Sequence, residues 1–204
     1  MNKIKVIGLT GLYCAGKNHV SGLLSQRGLP VIDADIVGHQ AIETAKEDII
    51  ACFGSIILDK DGKVNRKMLG ERVFGRPEEL SALEEIVHPI VDREIIKWIE
   101  DRVEKACVIN AALLHRSTVL KSLDAVIIVE APIPDRLQRA QKRDKLPWHL
   151  ILQRFVIQNE FNYQAEKTDI YIVNNPTGYG KQYHILRNKL ENRIDEILSL
   201  MGII

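Results

Sequence analysis

Apolar positions along the chain switch between two rhythms. "KVIGL" (5–9) is a short continuous run, as in strands buried on both faces. Val20, Leu23 and Leu24 then share one face, which predicts a helix from near Lys17 to about Arg27, ended by Gly28. "LPVIDAD" (29–35) reads as a second strand ending in two aspartates. The middle is helical: "NRKMLGERVF" (65–74), "PEELSALEEIV" (77–87) and "PIVDREIIKWIEDRVEKA" (89–106) carry helical spacing. In the last, Val91, Ile95, Ile96, Ile99 and Val103 form one stripe. "DKDGKV" (59–64) has the Asp-Gly signal of a tight turn. Strands return at "ACVINAALL" (106–114) and "DAVIIVEA" (124–131). "PIPDRLQRAQKR" (132–143) is a basic helix, "DKLPW" (144–148) interrupts it, and "HLILQRFVIQNEF" (149–161) is a further helix. "DIYIVNN" (169–175) gives the last strand. A closing helix over 183–201 follows from Ile185, Leu186, Leu190, Ile194, Ile197, Leu198 and Met201. Strands alternating with helices predict a parallel α/β sheet, and three helices between the second and third strands suggest an inserted helical lobe.

Composition narrows this picture. At 204 residues and 46% hydrophobic, the chain suits one globular domain and can bury a core without disulfides or metals. A formal net charge of +1 does not suggest a nucleic-acid binder. Cys14, Cys52 and Cys107 are scattered and odd in number, so neither a zinc site nor a disulfide framework is implied, and a reducing cytoplasm is the natural setting. Cys52 and Cys107 are expected to pack as small apolar residues. No stretch approaches the roughly 20 apolar residues of a membrane helix.

The first chemistry-bearing stretch is "GLYCAGKNHV" (11–20). Gly11, four residues, Gly16 and Lys17 form the skeleton of a phosphate-binding loop between a predicted strand and a predicted helix. Glycines let backbone amides turn toward phosphate oxygens, the helix N-terminus adds partial positive charge, and Lys17 adds a full one. Leu12, Tyr13, Cys14 and Ala15 complete the candidate ATP cradle, and Asn18 and His19 open the helix. The position after the lysine normally gives a hydroxyl to Mg²⁺. Asn18 offers an amide oxygen instead, which can still take a hard cation. Cys14, close to a positive helix end, is expected to have a lowered thiol pKa.

The second constellation is Asp33 and Asp35, at the carboxyl end of a predicted strand where open α/β proteins bind ligands. On an extended chain the two carboxylates point the same way. Asp33 is the candidate base toward an acceptor hydroxyl, and Asp35 either assists it or caps the helix that follows. The third is the run Arg136, Arg139, Lys142 and Arg143, whose spacing gathers charge on one helical face. With the interruption at Pro147 it reads as a lid closing over transferring phosphates.

Across nearly its whole length the chain resembles the dephospho-coenzyme A kinase family of P-loop kinases. The resemblance rests on "GLTGLYCAGK" (8–17), "VIDAD" (31–35), "FGSIILDKDGKVNRKMLGERVF" (53–74), "LEEIVHPIV" (83–91), "AALL" (111–114), "RLQRAQKRD" (136–144) and "TDIYIVNN" (168–175). It implies a three-layer α/β sandwich with a five-stranded parallel sheet, a helical substrate lobe and a lid. It also implies transfer of the γ-phosphoryl of ATP, with Mg²⁺, to the ribose 3′-hydroxyl of dephospho-coenzyme A. By motif, Asp33 matches the base, Lys17 the phosphate cradle, and Arg139 and Arg143 the lid arginines. Arg66, His88 and Leu113 fall on the acceptor side, and Asn175 on the segment near the adenine. The expected division is a core over about 1–58 and 106–204, a lobe over about 59–105, and a lid over about 139–160. The protein is expected to be a cytoplasmic monomer.

Three positions depart from the family pattern. Asn18 replaces the hydroxyl residue, Asn110 stands where an acid is found, and Arg116 stands where another acid is common. These departures leave open two other readings: a nucleotide-binding module without turnover, and a kinase for another small hydroxyl acceptor.

Overall fold

The computed structural model describes residues 4–73, 75–112, 123–159, 168–177 and 181–204. Five strands, β1 (Lys5–Gly11), β2 (Val31–Asp33), β3 (Ala106–Asn110), β4 (Ala125–Glu130) and β5 (Asp169–Asn174), form one sheet in the order β2-β3-β1-β4-β5. The pairings of β1 with β3 and β4, and of β4 with β5, are parallel. β1 is central, with Ile7 opposite Val108 on one side and Ala125 on the other. It is covered on both faces, so its pattern is a run of buried residues rather than an alternation.

The helices are α1 (Lys17–Gln26), α2 (Ala34–Thr44), α3 (Lys46–Phe53), α4 (Arg66–Val73), α5 (Pro77–Glu100), α6 (Ile133–Asp144), α7 (Trp148–Asn159) and α8 (Lys181–Leu200). The described residues fall into two compact units. The first holds residues up to Ile32, Arg102–Ala112, and everything from Leu123 onward; the second is Asp33–Asp101. The first is built on Ile7, Leu9, Leu24, Val108, Ile127 and Ile194. The second packs α2 to α5 around Ile49, Phe53, Ile57, Leu69 and Val87. Among the described residues no helix is long and apolar enough to cross a membrane.

Several elements differ from the expectation. β2 has three residues, because α2 begins at Ala34. Asp33 caps that helix: its Oδ1 accepts the N–H of Asp35 (3.0 Å) and of Ile36 (3.3 Å). Asp35 is therefore a first-turn helical residue and not the cap, and the extended chain expected to point the two carboxylates the same way ends at Asp33. Residues 77–87 and 89–100 are one helix, α5, that runs through Pro89. The missing N–H leaves the Glu85 carbonyl without its helical donor, but Glu85 and Pro89 are both exposed, so solvent can serve that oxygen. α5 stops at Glu100, so Val103 is not part of a helical stripe and is 97% exposed; Ile96 also faces outward. At the C-terminus Leu190, Ile194, Ile197, Leu198 and Met201 are buried as expected, but Ile185 is exposed. The Asp-Gly turn forms: Asp59 Oδ1 accepts from Asp61 and Lys63, and Gly62 adopts φ 71°. Cys107 is buried, whereas Cys52 is exposed and not packed as expected.

Candidate functional site

β1 delivers the chain to a loop that is fixed from behind. Gly11 lies against Val129 of β4 so closely that a Cβ there would sit 2.5 Å from the Val129 carbonyl oxygen. Leu12 donates its N–H to the same oxygen (3.2 Å), and Ala15 closes a turn onto the Leu12 carbonyl (2.9 Å). Cys14 takes φ 59°, a left-handed conformation that costs a side-chain-bearing residue about 1 kcal/mol. Gly16, at φ 95°, caps α1 without a side chain, and its carbonyl accepts the N–H groups of His19 (2.9 Å) and Val20 (3.3 Å). A Cβ on Gly16 would also run into the Asn175 amide.

Three successive loop carbonyls are held on one side. Tyr13 O accepts from Arg136 Nε (2.8 Å). Ala15 O accepts from Arg139 Nη1 (2.9 Å) and from Asn175 Nδ2 (2.9 Å), while Cys14 O meets Arg139 Nη1 more weakly (3.4 Å). Arg139 Nη2 continues to the Asn175 carbonyl (2.8 Å) and to Thr177 Oγ1 (3.0 Å). In a trans peptide N–H and C=O point in opposite directions. The units after Tyr13 and Ala15 therefore turn the N–H groups of Cys14 and Gly16 away from the arginines. Those amides and the start of α1 offer the donors and partial positive charge that an anion needs, and half-buried Lys17 opens the helix. Arg139, expected over the phosphates, here holds the back of the loop. Asn175, expected near the adenine, is buried and does the same.

Tyr13 joins the loop to α6 and α7. Its ring meets Phe155 edge-on at 5.4 Å, and its hydroxyl donates to Asp144. Asp144 also accepts from Arg143 (2.6 and 3.1 Å) and from Arg154 (3.0 Å). Those bonds, Arg143 first, bring the Asp144 carboxyl down to about 2. The Tyr13 phenol is raised, chiefly by burial and then by Asp144. Burial also raises the Cys14 thiol, against the pull of Arg143, Arg136 and Arg139. The expected lowering of that thiol is therefore reversed: loss of water outweighs the nearby positive charge. His19 sits below its ordinary value through partial burial, then Arg187 and Arg139.

Asn18 is exposed on the first turn of α1, and its Oδ1 lies 3.4 Å from Nδ2 of buried Asn110 at the end of β3. The two departures from the family pattern thus meet as a neutral amide pair. Among the described residues no three His, Cys, Asp or Glu side chains gather as a metal site. The loop can supply one hard oxygen, Asn18 Oδ1, which suits an ion that takes its other ligands from phosphate and water.

The acceptor-side candidates lie in the second unit. Asp33 is half-buried and fixed as the cap of α2, with exposed Asp35 in the turn after it. Arg66 is exposed at the start of α4, and His88 is half-buried within α5. Leu113 and Arg116 lie outside the described residues. Sequence reasoning missed Tyr13 and Asp144 as a pair, and Asn175 as a brace. An aromatic residue where the loop needs only small ones was the available signal.

A family model described as dephospho-CoA kinase matches residues 5–178. The dephospho-CoA kinase of Listeria innocua is 34% identical over 188 residues, which cover 89% of this chain and 94% of that protein. A Thermus thermophilus crystal structure superposes with TM-score 0.77 at 27% identity, covering 95% of this chain and 97% of its own. The dephospho-CoA kinase of Campylobacter jejuni superposes with TM-score 0.61 at 25% identity, covering 96% and 98%. These likenesses span the phosphate loop, the sheet behind it and the helices around it, and the chain belongs to the dephospho-CoA kinase family.

Proposed function

We propose that the chain transfers the γ-phosphoryl of ATP to the ribose 3′-hydroxyl of dephospho-coenzyme A, releasing ADP and coenzyme A, as a cytoplasmic enzyme. The observation that supports this most is the loop whose carbonyls are tied back and whose amides face the opposite way. Phosphoryl transfer asks the protein mainly to position its reactants and neutralise charge. Gly11 to His19 cradle the phosphates, and Lys17 meets the outer ones. Arg143 lies over the ring of the loop residue Tyr13, 5.2 Å from its centre, and supplies further charge. Asp33 accepts the proton of the attacking hydroxyl. Its cap bonds fix the carboxylate in place without exhausting its lone pairs. By the family motif, Asp35, Arg66, His88 and Leu113 are the residues assigned to the acceptor. Mg²⁺, when bound, offsets phosphate charge, and Asn18 is the loop residue that would hold it.

The test is an ADP-coupled assay with ATP, Mg²⁺ and dephospho-coenzyme A. One coenzyme A should form for each ADP released. No turnover above background with either Mg²⁺ or Mn²⁺ would exclude the reaction, and turnover only with other alcohols would move the chain to a different acceptor.

A further inference from the structure

α6 carries an arginine that lies inside the protein rather than on an exposed basic face. Arg136 is 2% exposed. Its Nε donates to Tyr13 O at 2.8 Å, its guanidinium carbon lies 4.6 Å from the centre of the Phe155 ring, and its Nη2 is buried without a hydrogen-bond partner. Among the described residues no carboxylate forms an ion pair with it; Glu130 acts on it only at longer range. Asp144, the nearby acid, is shared by Arg143 and Arg154, and Asp135 accepts the Thr177 N–H. Arg139 beside it is likewise bonded to neutral oxygens only.

A buried charge is ordinarily paired, because an unpaired one costs several kcal/mol in effect. Arginine does not escape by losing its proton. Burial lowers the Arg136 pKa from its ordinary value, but that value starts far above neutrality. A charge kept in such a place acts over distance, since the surrounding protein screens it less than water does. The loop lies directly against it, with its amides turned to the other side.

We infer that Arg136 is a positioning residue for phosphate binding: it holds the Tyr13 carbonyl and places a positive charge without an ion-pair partner behind the loop, to be balanced by the polyphosphate of a bound nucleotide. It does not touch the phosphates. The inference rests on the reading of residues 11–19 as the phosphate cradle. It also implies an opposition: the group that favours the liganded protein strains the empty one.

The test uses the full chain, with inorganic tripolyphosphate and ATP as probes, and three proteins: wild type, Arg136→Met and Arg136→Lys. Met keeps length and contact with Phe155 but carries no charge. Without ligand, the thermal midpoint of Arg136→Met should equal or exceed that of wild type, since replacing an unpaired buried charge by an apolar side chain is neutral or stabilising. Its affinity for both probes should fall by about tenfold or more, equivalent to about 1.4 kcal/mol. Arg136→Lys should recover most of that loss. Affinity within about twofold of wild type in Arg136→Met would overturn the inference. So would a fall in affinity matched by a lower ligand-free midpoint and not relieved by Lys, since that pattern means packing alone. If wild type binds neither probe, the cradle reading itself fails; a failure confined to the variants leaves that reading intact.

Discussion

Asp33 carries two duties that a single substitution can separate. As the cap of α2 it accepts two backbone N–H groups, and as the proposed base it accepts a hydroxyl proton. Asn caps as well as Asp but cannot take the proton. Asp33→Asn should therefore lower kcat by about 100-fold or more with little change in ATP affinity or thermal midpoint. Asp33→Ala should show the same kinetic loss and also cost about 1 kcal/mol of stability. Steady-state kinetics and thermal melts on the pair check this; an unchanged kcat in Asp33→Asn removes the residue as base. At this scale the sequence was legible where one residue type suffices. Spacing marked Gly11 and Gly16, and the close approach at the first and the positive φ at the second do require glycine. Cys14 was misread because its pKa depends on how much water the fold removes, and that is set by Tyr13, α6 and α7.

Elements were legible wherever a pattern stayed in phase. β1, α1, β4 and β5 lie close to their expected positions. The errors fell where a local signal competed with the pattern. Pro89 suggested a break, yet Leu80, Leu83, Val87, Val91 and Ile95 keep one helical phase through it, and packing against the second unit's own core holds α5 straight through. The opposite happened at β2, where "LPVIDAD" (29–35) suggested a longer strand and the capping preference of Asp33 ended it. If α5 tolerates Pro89 only because its packing outweighs the lost bond, Pro89→Ala should stabilise the protein by about 1–2 kcal/mol. Chemical denaturation would show it as a higher midpoint with an unchanged slope. A lower midpoint would mean that the proline ring itself is needed there.

The tertiary links around the loop were the least legible in the sequence, because they join positions far apart in the chain. Tyr13, Asp144 and Arg154 belong to different elements, and no spacing rule connects them. Their charge state gives a pH signature. Asp144 is held at about 2, below its ordinary 3.8, so its stabilising contribution is complete above the higher value and lost as pH falls through the lower. Asp144→Asn should cost about 1 kcal/mol at neutral pH, a modest figure for charges near solvent. The gap from wild type should close between about pH 4 and pH 2. Denaturation midpoints across that range decide it: a gap that persists in acid would assign the effect to shape rather than charge.

The brace formed by Asn175 has a consequence for the order in which the protein is made. Ala15 and Asn175, which join through the Asn175 amide, are 160 residues apart in the chain. The proposed phosphate cradle is synthesised before the groups that tie its carbonyls back, which come from α6 and from the end of β5. A growing chain therefore carries the complete motif long before it carries a working site. On the proposed reading, nucleotide cannot steady the early fragment, and ligand rescue of folding becomes available only once Asn175 has joined the fold.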